Sequence, residues 1–244
     1  MNGSTAAALD RELRGLLGLS VPPIAIAFAD HAPADLPRPG GTMPSPTADG
    51  RTGAAPAGCV FWMQATERTF ATIAADHGNC SVGSYTHGFK TLAEAAAGAD
   101  VAALLDAAWV TAEDAARIPT VAQKPAAVLY GPLAAAAFAP DVVLLRLTGK
   151  QLMLVNDAWP ELRFEGKPQC HIIPIAKEAG AVAVSSGCML SRVRTGMSNN
   201  EVTCALPAVK LAELVMRLKR AQAADLQVAA YAADDAKRFH ASAS

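Results

Sequence analysis

The chain has 244 residues, 52% of them hydrophobic but only 5% aromatic, so any core must be built from Ala, Val, Leu and Ile. Lys+Arg (21) and Asp+Glu (22) nearly cancel to a net charge of -1, which excludes a global field for nucleic acid or an anionic membrane surface. The residues before Val21 lack the basic-then-apolar layout of a signal peptide and no apolar run reaches the ~20 residues of a bilayer span, so the expected location is cytoplasmic.

Leu9, Leu13, Leu16 and Leu17 recur at helical spacing, with Asp10, Arg11, Glu12 and Arg14 largely opposite, and predict an opening amphipathic helix. Ile24–Phe28, after two prolines, has the length and branching of a short strand. Residues 30–58 carry six prolines (33, 37, 39, 44, 46 and 56) and little apolar content, which predicts a long, flexible Pro/Gly-rich loop. Residues 92–105 and 111–117 read as helices, the second ended by Pro119. Strands are expected at 126–130, 142–147, 182–184 and 202–206, with a helix from about Gly149 to Ala158. Two C-terminal helices follow within 207–244, one through Leu211, Leu214, Val215 and Leu218 and one around Leu226–Phe239. Alternation of helices and short strands predicts an α/β or α+β fold, a single mixed-sheet domain over 1–244 with covering helices.

The informative residues are cysteines. In a reducing compartment five of them do not suit a disulfide framework, leaving buried thiols, metal ligands or a reactive thiol. Cys59, Cys80, Cys170 and Cys188 each stand beside a glycine, proline or polar turn residue, where the backbone can turn a thiolate into a shared space. Cys204 lies in the apolar run Val202–Leu206 and reads as core.

The segment from Asn79 to Phe89 packs Cys80, Tyr85, His87 and two hydroxyls between glycines. Its amides suit hydrogen bonding to a cluster sulfide or an anion. Cys188, after Gly187 and near Arg192 and Arg194, has the setting of a thiol with thiolate character. In Cys170-His171 the two side chains diverge if the segment is extended, and the sulfur is the favoured ligand. His31 and His240 fall in expected loop or tail, and His77 beside Gly78 has no assigned role. Phosphate-loop, dinucleotide, nucleophile-elbow and His-Glu-x-x-His motifs are absent, as is any Cys-x-x-Cys pair.

These residues also resemble the DUF169 family of uncharacterised bacterial and archaeal proteins. The resemblance rests on Gly58-Cys59-Val60-Phe61-Trp62, Asn79-Cys80-Ser81-Val82-Gly83 with Gly88-Phe89, and Ala116-Arg117-Ile118-Pro119. It continues through Tyr130-Gly131-Pro132-Leu133, Pro140-Asp141-Val142-Val143, Cys170-His171-Ile172-Ile173-Pro174 and Ser185-Ser186-Gly187-Cys188 with Arg192. It spans roughly Val21 to Leu218, supports the four-cysteine set, leaves out Cys204 and supplies no reaction. The Pro-rich loop is longer than the resemblance implies.

The leading expectation is a [4Fe–4S] cluster held by Cys59, Cys80, Cys170 and Cys188, used for redox or Lewis-acid chemistry on a small molecule. Tyr85, His87 and Arg192 are then the candidates for proton transfer and anion binding, and the partner is a small-molecule substrate or an electron-transfer protein. The alternatives are zinc or a small ligand in the same thiolates without catalysis, and a thiol enzyme using Cys188 with His87 or His171 as base. Exposed Ala-rich helices suit packing as a homodimer.

Overall fold

The protein is described from a computed structural model that covers residues 3–39, 58–78, 80–195 and 197–242. The central part of the expected Pro/Gly-rich loop (40–57) and Asn79 lie outside the described residues, as do the side chains of Arg194 and His240.

In chain order the elements are α1 (Gly3–Leu17), β1 (Ile24–Ala29), α2 (Gly58–Gln64), β2 (Phe70–Thr72), α3 (Ser81–Thr86), α4 (Leu92–Ala96), α5 (Ala99–Asp106) and α6 (Ala112–Ala116). They continue as β3 (Ala127–Pro132), β4 (Val142–Thr148), α7 (Gly149–Ala158), β5 (Arg163–Glu165), α8 (Ile172–Glu178), β6 (Ala183–Ser185), α9 (Met189–Thr195), β7 (Glu201–Pro207) and α10 (Leu211–Ser242). All seven strands join one mixed sheet in the order β2-β3-β1-β4-β7-β6-β5. Only β5 and β6 run parallel; every other pair is antiparallel.

Strand β4 shows how the sheet divides the molecule. Residues alternate between faces along a strand, so Val143, Leu145 and Leu147 join one hydrophobic cluster and Val142 and Leu144 join the other. Both faces are covered, and the strand therefore reads as a continuous apolar run. On the first face Leu13 and Leu17 of α1, Leu154 and Val155 of α7, and Leu211, Leu214 and Val215 of α10 pack together. On the second face lie Phe61 and Trp62 of α2, Val82 of α3, Val101 of α5 and Ile172, Ile173 and Ile175 of α8. Each such side chain contributes about 1.5–3 kcal/mol by leaving water.

Local chemistry sets several element ends. Thr111 and Asp114 cap α6 reciprocally: the Asp114 N–H donates to Thr111 Oγ1 (3.0 Å) and the Thr111 N–H to Asp114 Oδ2 (3.1 Å). Thr91 and Glu94 do the same for α4. The helix expected over 92–105 is two helices, split at Gly98. A Cβ there would lie 2.1 Å from Ser81 Oγ, so only glycine lets the α4–α5 corner approach α3.

Two other expectations are corrected. The two C-terminal helices are one, because nothing between 211 and 242 is a glycine or proline. Its apolar stripe ends where it leaves the body, and Leu226, Val228, Tyr231 and Phe239 are exposed. Asp10 is not on the solvent side of α1 but buried, and burial raises its carboxyl above the ordinary value against the lowering effect of Arg14. The described flank of the Pro-rich segment is tied down: the Ala71 N–H donates to the Pro37 carbonyl (2.9 Å) and Arg38 pairs with Asp76. Among the described residues no helix is long and apolar enough to cross a membrane.

Candidate functional site

Four segments on the second face of the sheet meet at a small cavity, and each brings one cysteine. Cys59 lies in the first turn of α2, a helix rather than the turn its preceding glycine suggests. Gly58 packs tightly there: a Cβ would sit 3.2 Å from Cε1 of His87. Cys80 is the N-cap of α3, in extended geometry (φ -141°, ψ 99°), with the Gly83 N–H donating to its Sγ at 3.3 Å. The sulfur thus takes the place an Asn or Ser oxygen usually takes at a helix start.

Cys170 lies in a single 3-10 turn, Gln169–His171, that leads into α8. Cys188 follows Gly187 and immediately precedes α9. All four cysteines line one cavity of about 30 Å³, together with Asp100, Leu104, Pro168, Gln169, Leu190 and Ser191 among others. None of the five cysteines is in a disulfide. Cys204 is fully buried in the opposite core and burial pushes its thiol up to about 12.

The thiols feel one another. Burial pushes Cys170 well above its ordinary range, and the neighbouring Cys80 and Cys188 sulfurs push it further, with the Thr86 hydroxyl opposing and Cys59 adding a little. Several thiolates in so dry a space repel unless a cationic centre compensates them. Among the described residues no group of three or more His, Cys, Asp or Glu is arranged to hold a metal ion. The four sulfurs share one cavity lining.

The walls are held by polar contacts. The Arg192 guanidinium donates to the carbonyls of Ser186, Ser198 (2.6 Å) and Glu201 (2.9 Å), pinning the turn that carries Cys188 to the start of β7. Gln169 Nε2 donates to Ser191 Oγ, linking the Cys170 turn to α9. The Ser81 N–H donates to Asp100 Oδ2 (2.9 Å), which sets a carboxylate at the cavity. Asp100, Gln169 and Ser191 carry no sequence signal; only the fold places them here.

The candidates for proton transfer and anion binding do not meet at the cavity. Tyr85 faces an apolar groove between α3 and α6, beside Leu92 and Ile118. His87 is fully buried; its Nδ1–H donates to the Gly83 carbonyl (2.8 Å), which fixes Nε2 as the unprotonated nitrogen, and Nε2 has no hydrogen-bond partner. Arg192 is spent on three carbonyls, so it positions Cys188 rather than facing an anion. His171 diverges from Cys170, although the segment is a 3-10 turn and not extended, and lines a separate recess. Burial lowers it to about 4.

Behind the Cys80 turn sits a buried aromatic group absent from the sequence reading. His77 lies 4.9 Å from Phe61, 4.8 Å from Phe89 and 5.4 Å from His87, centroid to centroid. Thr72 Oγ1 donates to the Val128 carbonyl (3.2 Å), so His77 Nε2–H donates to Thr72 Oγ1 (2.9 Å) and Nδ1 is left unprotonated and without a partner. Burial drives both imidazoles down, His87 to about 4, and keeps them neutral.

Residues 12–217 match the family model DUF169, described as uncharacterised ArCR, and the chain belongs to that family. No curated protein and no solved structure matches it.

Proposed function

We propose that this DUF169 protein is an iron–sulfur protein holding a [4Fe–4S] cluster on Cys59, Cys80, Cys170 and Cys188. One observation carries the reading: four cysteines from four separate segments line a single cavity, while the fifth lies across the sheet. Four thiolates are the donor set of such a cluster and of a four-cysteine zinc site alike, and iron and sulfide counts separate the two. Neither His87 nor His171, the bases expected of a thiol enzyme using Cys188, lines the cavity. The cluster would supply electron transfer or, at an open iron, Lewis acidity toward a small molecule.

The chain's own residues prepare that site. The Gly83 N–H holds the Cys80 sulfur, Arg192 holds the Cys188 turn and the Gln169–Ser191 contact locks Cys170 to α9. Leu104, Leu190 and Val82 exclude water, which strengthens every electrostatic contact inside. Asp100 is the one carboxylate at the cavity and is the group available there to accept an N–H or O–H from a bound ligand.

The test is anaerobic purification followed by an absorption spectrum with iron and acid-labile sulfide counts. A broad band near ~400 nm with roughly four irons and four sulfides per chain is expected. A colourless, iron-free protein from anaerobic cells overturns the proposal.

A further inference from the structure

A second recess, of about 420 Å³, lies behind the thiol cavity and has the volume of a small-molecule site. The two share one wall. Residues 167–171 turn Pro168, Gln169 and Cys170 toward the thiols, and Lys167 and His171 toward the recess. Anything bound in the recess is therefore one residue of chain away from Cys170.

The charges around it are balanced. Arg117, Arg163 and Lys167 stand with Asp114, Glu165 and Glu178. Each is engaged locally: Arg163 with Glu165 (2.8 Å), Arg117 with Glu113, Glu178 with Lys177 (3.2 Å), and Lys167 with the Trp109 carbonyl. Asp114 caps α6. The Arg117 and Arg163 side chains are 70% and 50% exposed, and exposed pairs of this kind exchange partners at little cost. Equal numbers of both signs disfavour a polyanion and suit a ligand that carries both charges.

A second observation is independent of the charged rim. His171 lines the recess, is only 8% exposed, and its Nε2 has no hydrogen-bond partner in the protein. A buried polar atom of this kind is normally satisfied.

We propose that this recess binds a small zwitterion of the amino-acid class, its carboxylate on Arg163 and Arg117, its ammonium on Glu165 and Glu178, and a polar group on His171 Nε2. The site stands on its own geometry, whether or not the thiols hold a cluster.

Isothermal titration calorimetry of the full chain with each of the twenty amino acids, succinate and inorganic phosphate tests it. At least one amino acid should bind saturably, with affinity falling tenfold or more in Arg163→Ala, Glu178→Ala and His171→Phe. The two exposed substitutions should leave the unfolding midpoint unchanged, so that a lost site is distinct from a lost fold. No binding by any amino acid, equal binding by succinate or phosphate, or affinity indifferent to all three substitutions would overturn the proposal. Because heat of binding is read without reference to iron, its failure and that of the cluster reading are separable.

Discussion

Gly187 and Arg192 fit against each other across the turn that presents Cys188. Gly187 has φ +116°, and a Cβ built on it would lie 3.0 Å from Arg192 Nε and 3.1 Å from Nη2. A side chain there is strained by its backbone and blocked by the guanidinium that holds the turn. Gly187→Ala is therefore expected to lower the unfolding free energy by about 1–3 kcal/mol. Arg192→Lys keeps the charge but cannot reach three carbonyls, and should cost about 1–2 kcal/mol. Urea titration measures both, and an unchanged midpoint in either variant would show that this clamp does not hold the turn.

The α4–α5 corner offers a cleaner steric test. Gly98 has ordinary helix-cap geometry (φ -74°), so Gly98→Ala acts only through steric clash, with Ser81 first and with Asp100 Oδ1 at 2.7 Å. A loss of about 1–3 kcal/mol is expected, as for other overpacked sites. Combining it with Ser81→Gly should recover part of that loss, since the Cβ and Oγ of Ser81 are two of the three blocking atoms and Asp100 Oδ1 remains. Additive losses in the double variant would place the strain elsewhere.

Arg146 and Glu201 form a two-pronged ion pair between β4 and β7, both side chains 12% exposed, with Arg146 Nη1 also 2.8 Å from Met63 Sδ. Glu201→Gln leaves a nearly buried guanidinium undercompensated and should cost about 3 kcal/mol. Replacing both, as Arg146→Met with Glu201→Leu, should restore most of the stability. Thermal denaturation of the three variants checks the order, and a double variant weaker than the single one would contradict it.

Acid should weaken the fold through His77 and His87. The unfolded chain binds protons near 6.5, whereas burial holds folded His87 at about 4 and His77 also well below 6.5. Between those values the unfolded state carries more protons, so stability rises with pH there. It is fully present above about 6.5 and is lost as pH falls toward 4, by about 3 kcal/mol for His87 alone. Buried Asp10 works in the opposite sense, because its raised carboxyl favours the folded state as it protonates. Urea unfolding from pH 7.5 to 4 should show the fall, and a flat profile would contradict it.

Cys204 supplies the internal control for the thiol set. It faces α7 and α10, across the sheet from the other four. Cys204→Ala should retain the chromophore and iron content of the parent protein, while Cys80→Ser or Cys188→Ser should abolish them. Iron lost on Cys204→Ala from a folded protein, or retained on both serine substitutions, would break the assignment of ligands.

How much of this was legible in the chain depended on length and position. The central strands β1, β3, β4 and β7 announce themselves through branched apolar runs, and α7 agrees with its expected bounds, Gly149–Ala158. Strands β2 and β5 span three residues each, too short for alternation to show, and β5 (Arg163-Phe164-Glu165) sits at the sheet edge with a polar sequence. Periodicity reports packing, so the packed stripe to Leu218 and the Ala-rich stretch around Leu226–Phe239 read as two helices, and their continuity as one was missed. The four cysteines were legible because each stands beside a turn-forming residue. Asp100, Gln169 and Ser191 were not, being ordinary polar residues made special only by tertiary approach. The roles expected of Tyr85 and Arg192 rested on neighbourhood in sequence, whereas the short helices α3 and α9 point those side chains elsewhere.

Cys59 and Cys188 are 129 positions apart, yet line the same small space. The cavity has no local precursor: neither a fragment ending before Cys188 nor a nascent chain that has yet to present that turn can bring the last thiol to the other three. Contacts this distant along the chain form late and slowly, since loop closure precedes any gain from them. The thiol cavity is thus a late product of folding, complete only once the Cys188 turn has closed on the other three segments.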